Sequence, residues 1–245
     1  MTRADTAQAA NPRGLDANLR GAPQMLEYGA IARRITDDGA RTVLDWGAGW
    51  GQVSQLLAGH GLDVSSFDYR EEGPEATQAM ERYPELEVRL SSDPVRLPYP
   101  DEQFDAVLSC GVLEHVAFPA ASLAEVRRVL NPGGTVYVYK LPNRTSYLEA
   151  IARVMGLYYH GKLPHDRLYT RRSAVALLEM SGFEIVEAEL ANMLPLTVGD
   201  GLSNRHAPAI WRLNRRLAAV PALRGLATNV NVIARKAGVP SAAAG

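Results

Sequence analysis

The most constraining feature of this chain is the alternation of short β-type runs with helical stretches. Strand character occurs at 42–45, 62–67, 86–90, 104–109, 135–140, 183–190 and 229–234. Apolar residues recur at helical spacing over 52–58, 74–83, 120–130 and 170–180, and one or two helices precede them between Leu19 and Ile35. Strands that alternate with helices predict βαβ units. We therefore predict an α/β fold, a doubly wound Rossmann-like sheet with helices on both faces.

Two stretches fit this alternation poorly, residues 141–169 and 191–228. Both follow predicted strands in the second half of the chain, where substrate-covering elements often lie on such sheets. We expect one domain over residues 39–245 with covering insertions in these two stretches, preceded by an N-terminal tail and helices over 1–38. The Asn-Pro-Gly-Gly sequence at 131–134 predicts a turn before the fifth strand.

Composition narrows the class of protein. The 26 basic and 27 acidic residues leave a net charge of −1, which argues against a dedicated nucleic-acid binder. The N-terminus lacks the apolar segment of a secretory signal, and no apolar run approaches the roughly 18–20 residues of a membrane span. The single cysteine, Cys110, excludes an internal disulfide and a Cys-cluster metal site. We expect a cytoplasmic protein without a metal centre or a nucleic-acid partner.

A glycine-rich turn lies directly after the first predicted strand. The sequence VLDWGAGWGQ places Gly47, Gly49 and Gly51 at the start of a helix, where the backbone must turn sharply and approach a ligand closely. The spacing differs from the G-x-G-x-x-G of nicotinamide dehydrogenases, and no Gly-Lys-Ser/Thr of a P-loop follows. Asp45 precedes the turn, and a carboxylate suits an ammonium or sulfonium group better than a pyrophosphate. The turn therefore indicates a ligand that is cationic at this end.

Together with Asp68 at the end of the second predicted strand, this pattern resembles the class I S-adenosylmethionine (SAM) dependent methyltransferases. The strings LPYPDEQFDAVLSCGVLEHV and RRVLNPGGTVYVY are similar to the small-molecule branch that includes quinone-biosynthesis and sugar methyltransferases. The resemblance covers residues 40 to 190. It implies a seven-stranded sheet whose last strand, NVNVIARK, is antiparallel and lies between the fifth and sixth.

The resemblance also implies a SAM site, with S-adenosylhomocysteine as the product. Asp45 and the turn would hold the amino-acid end, and Asp68 would accept hydrogen bonds from both ribose hydroxyls. Tyr69 would pack on the adenine, Asp93 would receive its exocyclic amine, and Cys110 would line the methionine portion. An aspartate after a strand is also a common turn residue, as is Asp before Pro. The predicted cofactor-binding residues are Asp45, Gly47, Ala48, Gly49, Gly51, Asp68, Tyr69, Asp93, Pro94 and Cys110.

The acceptor chemistry depends on whether a proton must be removed. A hydroxyl acceptor needs a base, and histidine suits that task near neutral pH. His115, in the Glu-His-Val sequence after strand four, is one candidate, although it could instead orient the loop or contact the cofactor. His165 is the other, in the segment YYHGKLPHDRLYT, which is a substrate-covering element or an ordinary solvated loop. We favour O-methylation of a small molecule over N- or C-methylation, and a noncatalytic SAM-binding protein is the alternative from another class.

Basic residues are concentrated near the C-terminus, since 201–245 contains seven Arg and Lys and no Asp or Glu. Within it, apolar residues recur at helical spacing: Ile210, Leu213, Leu217 and Val220. Three arginines lie beside them: Arg212, Arg215 and Arg216. This pattern predicts an amphipathic helix with a cationic face. Packed on the protein, it would be a lid over an anionic acceptor or part of a homodimer contact; facing outward, it would meet a membrane surface or a lipid-linked acceptor. A solvated basic face is the simplest alternative.

Overall fold

The computed structural model describes residues 21–70, 80–81, 83–156, 165–194, 196 and 201–238. The strands are β1 (Thr42–Trp46), β2 (Asp63–Tyr69), β3 (Val88–Ser91), β4 (Phe104–Cys110), β5 (Leu130–Pro142), β6 (Phe183–Ala191) and β7 (Asn229–Lys236). The helices are α1 (Ala22–Asp37), α2 (Gln52–Gly59), α3 (Pro119–Val129), α4 (Tyr147–Val154), α5 (Arg171–Met180), α6 (Gly201–Arg205), α7 (Ala207–Ala219) and α8 (Pro221–Arg224). Most of the helix predicted over 74–83 lies outside the described residues.

The seven strands form one sheet in the order β3-β2-β1-β4-β5-β7-β6. Strands β1 to β5 pair in parallel, whereas β7 is antiparallel to both β5 and β6. The predicted fold class is confirmed, including the antiparallel last strand between the fifth and sixth.

The core lies on both faces of this sheet. Successive side chains of a strand point to opposite faces, so Val107 of β4 packs with Leu123 of α3, while Ala106 and Leu108 pack with Ile31 of α1. All of these side chains are buried. Burial on two faces explains why the centre of β4, residues 106–108, is apolar without alternation. Helix α1 is therefore part of the domain core.

The turn predicted at 131–134 is wrong. Strand β5 already begins at Leu130, and its pairing with β4 shifts register between Phe104 and Ala106. Gly133 has a φ of +75°, and the Asn131 amide donates to Asp105 at 2.9 Å. The Pro-Gly-Gly residues thus form an irregularity within the strand, because glycine and proline also suit a bulge.

Helix α7 exists as predicted, but its buried face differs from the apolar stripe. Leu213 is 50% exposed and Val220 40% exposed, while Asn214 is only 1% exposed. The Asn214 carbonyl oxygen accepts from the backbone N–H groups of Met193 and Leu194 at 2.7 and 2.9 Å. Backbone N–H groups that are buried must be paired, and this requirement fixes the rotation of α7. Within the described residues, no helix has the length and apolarity to cross a membrane.

Candidate active site

The parallel strands β1 to β5 end at one edge of the sheet, where ligands bind in open α/β folds. Most of the predicted site residues lie at these strand ends. Asp45 is the residue before the last one of β1, Asp68 is the residue before the last one of β2, and Cys110 ends β4. The fold therefore brings residues far apart in sequence to a common edge.

The turn after β1 requires glycine at two positions in particular. Gly47 has a φ of +86°, and a Cβ there would overlap the Val112 side chain, with Cγ1 at 2.9 Å. Gly51, with a φ of +78°, is the N-cap of α2. The turn is fastened to β2 because the backbone N–H groups of Gly47 and Ala48 donate to the Phe67 carbonyl at 2.8 and 2.9 Å. A concave backbone surface results, with the N-terminus of α2 behind it.

Asp45 is buried beneath this turn. Its carboxylate accepts a hydrogen bond from Ser54 Oγ at 2.5 Å, and Ser66 Oγ donates to Ser54 at 2.9 Å. Burial raises the pKa of Asp45 to about 6; the Ser54 hydrogen bond opposes the rise, and the negative charge of Asp68 adds to it. A buried carboxylate without a cation is costly. A positively charged ligand group would remove that cost, as the sequence predicts.

Asp68 lies half-buried near the end of β2. Its carboxylate accepts the Tyr69 backbone N–H at 3.0 Å, and the Gly49 N–H also hydrogen-bonds to it. Burial raises the pKa of Asp68, and these hydrogen bonds and the charge of Arg70 oppose the rise. The Tyr69 side chain is 44% exposed, so its ring is accessible for stacking on a planar ligand.

A His-Asp pair lies beyond the end of β4. His115 Nδ1 is 2.7 Å from Asp166 Oδ1, and the side chain of Asp166 is buried while that of His115 remains 40% exposed. Arg167 fixes the two segments together, because its backbone N–H donates to the Glu114 carbonyl at 3.0 Å and its guanidinium donates to the carbonyls of Val116 and Ala117. This arrangement orients the partly exposed imidazole and turns its Nε2 toward the carboxyl of Glu114.

Comparison with known proteins shows what the central part of this chain is similar to. Residues 44–138, from β1 into β5, match a family model described as a methyltransferase domain. The matched span contains the glycine turn, both aspartates and His115. The part of the chain from β1 into β5 is therefore similar to a methyltransferase domain.

Two relatives support this similarity to methyltransferases. A protein of Mycolicibacterium smegmatis named "Probable S-adenosylmethionine-dependent methyltransferase" is 32% identical over 158 residues, 64% of this chain and 56% of that protein. The ubiquinone biosynthesis O-methyltransferase of Xanthomonas campestris is 34% identical over 143 residues, 58% of either chain. The chain thus spans 56 to 58% of the length of these curated relatives.

Solved structures share the fold of this chain. A SAM-dependent methyltransferase from Archaeoglobus fulgidus superimposes with a TM-score of 0.58 at 20% identity, covering 90% of this chain and 97% of that one. The cyclase SpnF superimposes with a TM-score of 0.57 at 23% identity, covering 88% and 81%. The same fold therefore occurs in proteins named for different reactions, and the site residues must decide the chemistry.

For three other predicted residues of the domain, Asp93, Pro94 and Cys110, the structure gives the local surroundings but no contact with a cofactor. Asp93 is exposed, and its Oδ1 accepts from the N–H groups of Val95 and Arg96 at 2.9 and 2.8 Å, so it holds the turn that contains Pro94. These two hydrogen bonds lower the pKa of Asp93. Burial raises the pKa of the Cys110 thiol, which keeps it uncharged. The cofactor contacts expected of these residues remain predictions.

The predicted base His165 is exposed, and its carbonyl accepts from Arg167 at 3.0 Å. Its neighbour Asp166 is the residue that reaches His115, and the sequence patterns do not single it out. The HDR sequence is a cluster of polar residues, and only the fold shows which of them meets the strand-four loop. The residues at 157–164, including Tyr158, Tyr159 and His160 of the same segment, lie outside the described residues.

Glu114, within the matched span, is a further residue that sequence patterns leave unexplained. Its side chain is buried, and Oε2 has no hydrogen-bond partner among the described residues. Burial raises the pKa of Glu114 to about 7; the charge of His115 opposes that rise. Its Oε1 lies 3.8 Å from His115 Nε2, too far for a hydrogen bond.

Proposed function

We propose that this chain transfers the methyl group of SAM to a hydroxyl of a small-molecule acceptor. The observation that supports transfer to a hydroxyl is the His115–Asp166 pair, which lies next to the strand ends that hold the glycine turn. A base is required when the acceptor is a hydroxyl, whereas a neutral amine can be methylated before it loses a proton. The names of the relatives, an O-methyltransferase among them, support the same assignment.

The residues present fit SAM. Asp45 supplies a buried negative charge for its cationic end, and the glycine turn lets the backbone approach a ligand closely. Asp68 presents a half-buried carboxylate to a pair of hydroxyls, as a ribose requires. Tyr69 offers an accessible ring beside it. The residues at this edge thus match the separate chemical parts of SAM.

His115 is the proposed general base. With a proton on Nδ1 that is donated to Asp166, Nε2 has a free lone pair and takes the proton of the acceptor hydroxyl. The bound cofactor supplies the methyl group, whose S–C bond breaks as the O–C bond to the acceptor forms. Asp166 stabilises the imidazolium that results, because the two charges lie at hydrogen-bond distance. A positioned base of this kind contributes about 10²- to 10⁴-fold to a rate.

An isotope experiment tests this proposal. The protein is incubated with methyl-labelled SAM and a panel of phenols, sugars and amines, and mass spectrometry locates the label. We expect label on oxygen, and loss of SAM binding in an Asp68→Ala control. Label on nitrogen or carbon would contradict the role of His115 as a hydroxyl base. SAM binding without transfer to any acceptor would favour a noncatalytic role, or a different reaction on this fold.

The partners follow from the same proposal. The basic residues of α6 to α8 favour an acceptor that is anionic or lipid-linked, and outward-facing arginines favour a peripheral membrane contact. The exposed Leu202 and Leu213 are compatible with that contact and with a homodimer interface. The salt dependence of KM and binding to lipid vesicles distinguish these possibilities.

A further inference from the structure

Strand β5 contains a distortion near its end. Lys140 has a φ of +65°, in the left-handed region that non-glycine residues rarely adopt, and pairing with β7 shifts register between Val138 and Leu141. Two β7 side chains satisfy the distorted backbone: Asn231 Oδ1 accepts from the Lys140 N–H at 3.0 Å, and the Asn229 amide donates to its carbonyl at 3.4 Å. Bulges that re-aim a side chain often lie next to active sites.

The distortion directs the Lys140 side chain against α1. Its Nζ lies 3.3 Å from Glu27 Oε2 and 4.8 Å from the centre of the Tyr28 ring, and 15% of the side chain is exposed. Burial has the largest single effect and lowers the pKa of Lys140, but Glu27, Tyr28 and Cys110 together raise it above its ordinary value, so the ammonium is charged at neutral pH. The structure therefore keeps a mostly buried cation at the end of β5.

This cation has unused hydrogen-bonding capacity. An ammonium carries three N–H donors, and Glu27 provides the one carboxylate within ion-pair distance among the described residues. Glu27 Oε2 receives no well-aligned hydrogen bond from them, and its Oε1 is occupied by the Asn192 amide at 2.6 Å. Because 15% of the Lys140 side chain is exposed, its remaining donors are available to an oxygen of a ligand.

The surroundings of Lys140 belong to the acceptor side of the proposed site. Cys110, at the end of β4, and Tyr28 pack against the same core cluster, and the charge of Lys140 acts on both Cys110 and Glu114. Glu114 precedes the proposed base His115. Tyr28, Cys110 and Lys140 are all partly exposed, so a ligand at the end of β4 can reach the ammonium.

We propose that Lys140 is an acceptor-binding residue whose ammonium receives an anionic oxygen of the acceptor. This inference rests on the proposed function and narrows its substrate class to ring or chain compounds that carry an ionisable hydroxyl or a carboxylate. A phenolate at this position is both bound and activated, since a neighbouring cation favours the ionised hydroxyl. Glu27 competes with the acceptor for the same cation.

The test uses three probes that differ in charge: para-nitrophenol, para-nitrobenzoate and the neutral para-nitroanisole. Each is titrated into the protein saturated with S-adenosylhomocysteine, and phenolate absorbance gives the pKa of the bound phenol. We expect that pKa to fall by about 1 to 3 on binding. Tighter binding of para-nitrophenol than of para-nitrobenzoate indicates that Lys140 contacts the reacting hydroxyl. Tighter binding of para-nitrobenzoate indicates contact with a separate carboxylate.

Three variants separate binding from a structural role. Lys140→Met combined with Glu27→Gln removes both charges, so no buried ion is left unpaired, and should weaken the anionic probes about 10- to 100-fold without affecting para-nitroanisole. Lys140→Arg should retain most of the anion affinity. Glu27→Gln alone should strengthen the anionic probes by about 3-fold or more, because the buried ammonium then has no competing carboxylate.

Equal wild-type affinity for charged and neutral probes, or unchanged anion affinity in the double variant, would overturn the proposal. Should the double variant fail to fold, Glu27→Gln decides, since a merely structural ion pair predicts no gain in anion affinity. These binding ratios do not depend on turnover. A failure of methyl transfer would therefore reject the proposed function and leave the contact with Lys140 separately measurable.

Discussion

The two halves of the sheet hold their functional groups by different means. In the β1–β4 half, backbone geometry shapes the site: the turn at Gly47 and Gly51 uses left-handed glycines, and its N–H groups bond to the Phe67 carbonyl. In the β5–β7 half, buried side chains do this work. Glu27 binds both Lys140 and Asn192, and Asn214 donates to Asn192 at 2.7 Å.

This difference teaches where sensitivity to mutation should lie. A backbone-shaped site fails when one residue receives a Cβ, because no rotamer change relieves a left-handed φ. A site held by a side-chain network fails when a buried partner is lost, since the remaining polar groups are left unpaired. Substitutions in each half test this contrast, and the largest effect is expected at the His115–Asp166 pair.

The largest effect is expected for His115, which extends from the β4 end and pairs with Asp166 of the covering segment. His115→Ala should lower kcat about 10²- to 10⁴-fold with little change in SAM affinity. Asp166→Asn should also lower kcat, because Asn cannot stabilise an imidazolium in the same way. Turnover is measured with the acceptor found in the labelling panel. Near-normal rates in both variants would show that positioning alone drives the reaction.

The second prediction concerns the backbone-shaped half. Gly47→Ala should destabilise the fold by about 2 to 4 kcal/mol, since the added Cβ overlaps Val112 and the left-handed φ is unfavourable. SAM binding should be lost with it. Gly59→Ala is the matched control, because a Cβ there meets nothing within 4 Å and alanine favours the helix. Thermal melts of the two variants that coincide would refute the contrast.

The site residues of the β1–β4 half can be predicted from the sequence more completely than those of the β5–β7 half. The sequence predicts the glycine turn, Asp45 and Asp68, because a left-handed turn and a carboxylate at a strand end each require particular residue types at a fixed local spacing. The strand order also follows from the family resemblance. These features are encoded within a few residues of chain, so a linear pattern suffices to find them.

The second half was less predictable because its contacts are non-local. Asn214 looks like a polar residue on an amphipathic helix, and only the fold shows that it bonds the backbone at Met193. Asp166 lies 51 residues from His115, and Lys140 lies in an apolar strand pattern that gives no sign of a bulge. The periodicity of a sequence separates polar from apolar residues and does not indicate which buried polar groups meet in the fold.

The third prediction tests the side-chain half through Asn214. Asn214→Leu should destabilise the fold by about 2 to 3 kcal/mol, because two backbone N–H groups and Asn192 lose their partner in a buried site. The affinity for SAM should remain unchanged, in contrast to Gly47→Ala. Denaturant unfolding and calorimetry give the two quantities. A parallel loss of SAM affinity would mean that the two halves are coupled.

The fourth prediction uses the pKa of Asp45, which lies at about 6 in the fold against an ordinary 3.8. The folded state binds the proton more tightly, so this contribution to stability is present below pH 3.8 and is lost as the pH rises through 6. Asp45→Asn should therefore stabilise the unliganded protein by about 1 to 2 kcal/mol at pH 8, and the gain should vanish toward pH 4.

The same substitution should remove the pH dependence of SAM binding. In the wild type, affinity should increase as the pH rises through about 6, because only the ionised Asp45 attracts the cationic end of SAM. Calorimetry at several pH values in each protein provides the comparison. A flat wild-type profile would place the cationic group of SAM away from Asp45.

The smallest effects are expected on the basic helix α7, where the arginines face different directions. Arg215 lines a cleft of about 540 Å³ between α1 and α7, with its guanidinium 5.0 Å from the Trp211 ring, whereas Arg216 lies outside that cleft and is exposed. If an anionic acceptor is drawn along this side of the molecule, Arg215→Gln should raise its KM by up to about 5-fold, the range of an exposed ion pair. Arg216→Gln is the matched control and should change KM less.

The wild-type KM should also rise with salt, because screening weakens exposed charges, and SAM affinity should stay constant in every variant. Equal, small effects of the two substitutions would assign both arginines to a solvated face. Loss of binding to phosphatidylglycerol vesicles with normal KM on a soluble acceptor would instead make α7 a membrane contact, since both arginines would then act through the surface charge that they share.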